Sequence, residues 1–222
     1  MEVNHCYFPD NLLYDDQFLV WVHIKSDEEV VIGLTSVHVA MAGKLSSVKI
    51  KPESSFVEKD RNLALIESTK YFGGVKSPIT GTVIAINSVL SKKSKMVNDY
   101  PYDEGWLVVL KPVNLEKEKV NLISGKKSEN DIKKRIKELR IRCFLAYPDY
   151  EMYEIGIECS AVLMKLDESL SRMKVGEVIH LVTDDPFSDI EMIRWSDQTK
   201  QSLLESRKED NLFHFIVKKD IV

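Results

Sequence analysis

Two side chains in this 222-residue sequence combine a reactive group with suggestive surroundings, the amine of Lys70 and the thiol of Cys159. Lys70 stands in LALIESTKYFGGVKSPITG, Leu63 to Gly81. The small and β-branched run ending at Ser68 reads as one strand and Thr82-Val83-Ile84-Ala85-Ile86 as another, which puts Lys70 near the tip of a hairpin, held out of any core. An amine placed there is open to acylation, although a surface lysine is more often only a solvated charge. Cys159 lies in EIGIECSAVLMKL, where a strand gives way to a helix. Backbone amides and the helix dipole at such a junction stabilise a thiolate, so the expectation is a nucleophilic thiol with a pKa below the usual value of about 8.5.

Other reactive residue types form no comparable group. The three cysteines, Cys6, Cys143 and Cys159, have no CxxC spacing, and this odd number argues against a disulfide framework and leaves at least one thiol free. Cys6 is expected to be a mobile N-terminal thiol and Cys143 a core residue. The five histidines (His5, His23, His38, His180 and His214) form no HxxxH or HExxH pair, so no metal centre is expected. Asp184, Asp185 and Asp189 cluster in a proline-containing turn before a helix, where acidic residues serve as caps. There is no phosphate-binding glycine loop and no Ser/His/Asp order, so nothing points to a self-contained enzyme.

These residues need scaffolds, and a chain of 222 residues at 44% apolar content is long enough for two cores. No apolar run approaches the roughly 20 residues of a membrane span, and MEVNHCYFPD does not read as a secretory signal; a cytoplasmic address is expected. The net charge of −4 divides as −2 over residues 1–125, +5 over residues 126–142 and −7 over residues 143–222. Acidity in the last part argues against a nucleic-acid partner, which needs a basic face. The short basic segment reads as a linker.

FLVWVHI (Phe18 to Ile24) and EVVIGLT (Glu29 to Thr35) form a hairpin pattern around KSDE. Further β-type runs at Ser46 to Ile50, Leu63 to Ser68, Thr82 to Asn87 and Trp106 to Leu110 make residues 1–125 an all-β sandwich or barrel. Only Ser36 to Ala42, closed by Gly43, reads as a helix there. In Ser128 to Cys143 the period changes: Ile132, Ile136, Leu139 and Cys143 line one helical face, with acidic residues at the start and basic ones toward the end. Residues 143–222 then read as strand (Met152 to Cys159), helix (Ser160 to Met173), strand (Glu177 to Thr183), helix (Ile190 to Ser206) and a last strand, LFHFIVKK. In this α+β two-layer sandwich the helices cover one sheet.

The lysine hairpin, with Glu67 three residues before Lys70 and Gly81 eleven after it, resembles the lipoyl-attachment hairpin of the glycine cleavage H protein and of biotinyl/lipoyl domains. The resemblance extends from FPDNLLY and FLVWV through SPITGTVIAIN to VNDYPYDEGWLVVLKP. It implies a barrel-sandwich hybrid, lipoate attached covalently to Lys70 by a lipoate ligase, Glu67 as a recognition contact, and a carrier that is not itself an enzyme. Tyr71-Phe72-Gly73-Gly74-Val75 and CYFPDNLLY are more similar to lipoate-binding proteins of the sulfur-oxidising heterodisulfide-reductase-like system. Packing at the hairpin base is an equal reading for Tyr71 and Phe72.

Residues from about Met152 to Lys219 resemble the TusA/SirA sulfur carriers, through Gly156, Cys159, the KVGEV turn (Lys174 to Val178) and the DDP turn (Asp184 to Pro186). In that family the cysteine accepts a persulfide. The Cys-Pro-x-Pro signature reads Cys159-Ser160-Ala161-Val162 here, which keeps the fold and leaves open whether Cys159 transfers sulfur or only packs. Together the resemblances imply a carrier that moves sulfur between a persulfide on Cys159 and a lipoyl dithiol on Lys70. Its partners would be sulfurtransferases and heterodisulfide-reductase-like enzymes. Two alternatives are an aminomethyl carrier of glycine cleavage served by glycine decarboxylase components, with residues 143–222 as an appended docking domain, and a scaffold retaining both motifs as relics.

Overall fold

The computed structural model describes residues 1–221. The chain divides into two compact units, the first Met1–Cys143 and the second beginning at Phe144.

The first unit is β-rich. An antiparallel seven-stranded sheet runs in the order Ile123–Ser124, Leu13–Tyr14, Val20–Ser26, Glu29–Leu34, Val108–Pro112, Gly81–Ile86, Phe56–Val57. A three-stranded sheet of Leu45–Ile50, Asn62–Ser68 and Phe72–Lys76 carries the lysine hairpin. In the Asn62–Ser68 strand buried Ala64 and Ile66 alternate with exposed Leu65 and Glu67, which fixes the face that meets the core, while Leu63, at a register shift, is buried as well. Burying a side chain such as Ile66 contributes about 1.5–3 kcal/mol.

The strand that returns from Lys70 is Phe72–Lys76, paired through Glu67↔Phe72, Ile66↔Gly73 and Leu65↔Gly74, not the Thr82 run. The Gly81–Ile86 strand pairs instead with Val108–Pro112 and Phe56–Val57 in the larger sheet. The double glycine lies within the Phe72–Lys76 strand, not in a turn, and neighbours over it leave no room for side chains: a Cβ at Gly73 would meet the Tyr71 hydroxyl at 2.4 Å, and one at Gly74 the Asn62 side chain at 2.3 Å.

The helix Ser36–Ala42 forms as the sequence indicates, with the Thr35 hydroxyl accepting from the His38 amide at 3.2 Å and Gly43 closing it at φ +83°. The basic helix, Glu129–Leu139, is part of the first unit. Its stripe of Ile132 and Ile136, continued by Cys143, is buried with Val3, Cys6, Phe8 and Tyr14 in one cluster. Cys6 and Cys143 are joined in a disulfide, 137 residues apart in sequence, with Cys6 fully buried. The expectation of unbridged thiols, with a mobile Cys6, is therefore corrected: the N-terminal pair of strands Glu2–Val3 and Cys6–Tyr7 shares a core with the helix and brings the two sulfurs together.

The second unit is a four-stranded mixed sheet, Tyr150–Glu154, Val178–Thr183, Leu212–Lys218, Ser202–Glu209, with helices Cys159–Arg172 and Ser188–Thr199. The first pair is parallel, joined through the Cys159–Arg172 helix, and the others are antiparallel. Val162, Leu166 and Leu170 of that helix pack with Leu181, Phe215, Val217, Met192 and Trp195. The second helix stops at Thr199, where Lys200 turns left-handed at φ 61°, and Ser202–Glu209 is an additional strand in place of the helix read through Ser206. Buried Lys219 donates to the carbonyls of Leu170 and Met173 at 2.7 and 2.9 Å, satisfying the end of the first helix.

Candidate functional sites

Lys70 is exposed, in the short loop Thr69-Lys70-Tyr71 between the strands Asn62–Ser68 and Phe72–Lys76. The Ser68 hydroxyl accepts from the amides of Lys70 and Tyr71 at 3.1 and 3.0 Å and donates to the Ala42 carbonyl at 2.6 Å. Behind the tip, Tyr71 meets the buried ring of His38 edge-on at 6.1 Å. Burial pushes the His38 pKa down to about 4 and so keeps the ring neutral, while its Nδ1 lies 3.2 Å from the Leu19 carbonyl. Phe72 is largely exposed. Glu67 faces solvent three residues before the lysine. Gly81 opens a strand of the other sheet, where a Cβ would meet the Lys111 carbonyl oxygen at 2.6 Å; close backbone approach explains that glycine.

Cys159 is the first residue of its helix, but its environment opposes a thiolate. The thiol is buried, and its pKa is pushed up to about 11, first by desolvation and then by the carboxylates of Asp185 and Glu191. Asp185 accepts from the Cys159 amide and from the Phe187 amide, both at 2.8 Å, and Asp184 accepts from the Gly156 amide at 2.8 Å. The expectation of a lowered pKa is thus reversed, chiefly because burial disfavours the sulfur anion and further because the Asp185 carboxylate takes up the Cys159 amide that would have favoured it. Asp184 and Asp185 brace turns, and Asp189 accepts from the Ser206 hydroxyl at 2.6 Å. Among the described residues no three His, Cys, Asp or Glu side chains are grouped to hold a metal ion.

Residues 12–135 match the model of the family described as Glycine cleavage H-protein, more than half of the chain. The chain belongs to this family. Over 142 residues it is 35% identical to Glycine cleavage system H protein 2 of Aquifex aeolicus, covering 64% of this chain and 88% of that protein. It is 36% identical over 142 residues to Probable glycine cleavage system H protein 2 of Saccharolobus solfataricus, covering 63% of this chain and 95% of the relative. A crystal structure of a glycine cleavage system H protein from Mycobacterium marinum, 23% identical, superposes with a TM-score of 0.50 over 56% of this chain and 98% of the other, a likeness of fold. Residues 154–219 match a second family, Sulfurtransferase TusA. The protein is an H-protein-like lipoyl carrier domain fused to a TusA sulfur-carrier domain, and both are families of carrier proteins.

Within the H-protein domain the structure brings to the lysine hairpin residues to which the sequence gave no part in it, Gly43 having been read only as a helix stop. Ser68, Gly43 and Asn98 meet beside Lys70, the last from VNDYPYDEGWLVVLKP, whose likeness to H proteins gave no role to any one side chain. Buried Asn98 donates to the Gly43 carbonyl and accepts from the Leu45 amide, both at 2.9 Å. No helix among the described residues is long and apolar enough to cross a membrane.

Proposed function

We propose that this chain carries lipoate on Lys70 and sulfur on Cys159, serving enzymes of sulfur metabolism and acting as a substrate of a lipoate ligase. The carrying observation is the exposed amine at the end of a stiff hairpin in a chain of the H-protein family. The surroundings suit an attached arm: the tip is open to solvent, and Gly43 leaves the room along which the lysine stem lies. Once bound, the group supplies a dithiol on a long arm. The protein supplies presentation, an amine fixed in direction by the sheet beneath it, with Glu67 as a ligase contact. The cytoplasmic address stays part of this proposal, and the buried Cys6–Cys143 bridge is the feature that weighs against it, since disulfides are rare in reducing compartments.

Cys159 as a sulfur acceptor is supported by the TusA match around it. Its burial and its two carboxylate neighbours require a partner such as a sulfurtransferase to uncover and deprotonate it. The names of the relatives, glycine cleavage system H proteins, favour a second reading in which the cargo is an aminomethyl group delivered by glycine decarboxylase components.

Intact mass after co-expression with a lipoate ligase tests the first claim. One lipoyl group is expected on the native chain and none on Lys70→Arg. Failure of a ligase that modifies another H protein, or modification surviving in Lys70→Arg, overturns it. Added sulfur on Cys159 after exposure to a sulfurtransferase selects sulfur as cargo, whereas loading only by glycine decarboxylase with glycine selects the second reading.

A further inference from the structure

The loop at Lys70 holds its shape without the usual backbone device. Tight two-residue hairpin turns need positive φ at their central residues, supplied by glycine or asparagine. Thr69, Lys70 and Tyr71 all keep negative φ, as β-branched Thr69 in particular favours. A side chain takes over the role. The Ser68 hydroxyl gathers the amides of Lys70 and Tyr71, and the Ser68 amide donates to the Tyr71 carbonyl at 2.8 Å.

The same hydroxyl reaches outside the hairpin, donating to Ala42 at the end of the Ser36–Ala42 helix, where carbonyls lack partners within the helix. That helix end is itself held from beyond, since Asn98 binds the Gly43 carbonyl and the Leu45 amide. The stem of Lys70 then lies across Gly43: a Cβ there would stand 2.5 Å from Lys70 Cε.

We propose that Ser68 is a positioning residue for acylation of Lys70, fastening the hairpin tip to the end of the Ser36–Ala42 helix so that the lysine is presented from a fixed seat over Gly43. The proposal rests on the reading of Lys70 as the lipoylated residue. Its physical basis is preorganisation: a flexible four-carbon side chain on a loose loop samples many directions, and ordering it when the ligase binds costs affinity.

The test uses the full chain with lipoate, ATP and a lipoate ligase, and compares native protein, Ser68→Ala, Ser68→Thr and Ser68→Cys. Rates of lipoylation are read by intact mass, and hydrogen exchange is measured at the amides of residues 69–71. Ser68→Ala and Ser68→Cys are expected to lose about tenfold in kcat/KM and to exchange the Lys70 and Tyr71 amides about tenfold faster, on the scale of one net hydrogen bond. Ser68→Thr, which keeps the hydroxyl, is expected to restore both. The size-matched cysteine variant guards against a fold lost through a cavity, and unchanged exchange elsewhere confirms that the rest of the domain is intact.

A native rate in Ser68→Ala overturns the seat while leaving the lipoyl reading standing. So does a slowed rate with unchanged exchange at the tip, because the effect then does not act through positioning. If the native chain itself is not modified, the lipoyl reading fails and the presenting role falls with it.

Discussion

The surroundings of Cys159 make its reactivity a quantitative matter. Its pKa is pushed up to about 11, against the usual value of about 8.5 for a free thiol. At pH 7 the thiolate fraction is then about one in 10⁴ in place of about one in 30, and since only the thiolate is the nucleophile, alkylation should be about 300-fold slower than for a free thiol. Because Cys6 and Cys143 are bridged, Cys159 is the thiol that reports under non-reducing conditions. The assay is the rate of iodoacetamide addition, followed by intact mass from neutral to strongly alkaline pH. A midpoint near 11 is expected, with slow labelling at neutrality. Asp185→Asn removes one of the two carboxylates and should lower the midpoint, while burial, the larger cause, keeps it above the ordinary value. A midpoint below 9 in the folded protein, or labelling at pH 7 as fast as free glutathione, would refute the reasoning and restore the activated thiol.

Three further outcomes follow from the same structure. Reducing the Cys6–Cys143 bridge, or replacing both residues by serine, should cost the first unit about 2–5 kcal/mol, seen as a lower Tm on adding a reductant. His38 is neutral when folded, its pKa lowered to about 4 from 6.5, so the unfolded chain binds the extra proton. Its contribution is intact above about pH 6.5 and is lost as the pH falls toward 4, by about 3 kcal/mol. Asp15, raised to about 6 by burial, acts in the opposite sense as its carboxyl protonates, so urea melts of native protein against His38→Gln across this window isolate the histidine slope. Lys219→Met should destabilise the second unit by about 2–3 kcal/mol, measured by urea denaturation, because two carbonyls at the end of a helix lose their charged donor.

Local signals were legible where a residue's role depended on its neighbours in sequence. Thr35 and Gly43 bound the helix Ser36–Ala42, and the stripe of Ile132 and Ile136 marked the basic helix. The exposure of Lys70 could be read from the turn between strands. Less legible was anything supplied from a distance. The basic helix read as a linker because its charges dominate the composition, whereas its few apolar residues complete the core beside Cys6. The return strand Phe72–Lys76 was hidden by Gly73 and Gly74, which admit Tyr71 and Asn62 over the backbone. The role of Ser68 depends on the Ala42 carbonyl, 26 residues earlier, and the pKa of Cys159 on its burial in the fold and then on Asp185 and Glu191, more than 25 residues later. Cysteine spacing alone does not determine pairing, and so gave no sign of the bridge.

That bridge has a practical consequence. Because Cys6 is bonded to Cys143, the last residue of the first unit, nearly all of that unit forms a closed covalent ring. A protease that cuts one peptide bond inside the ring opens it without releasing a fragment, and the damaged chain keeps its full mass apart from one added water. Electrophoresis without thiols would score such a molecule as whole, whereas a reduced lane would reveal the cut.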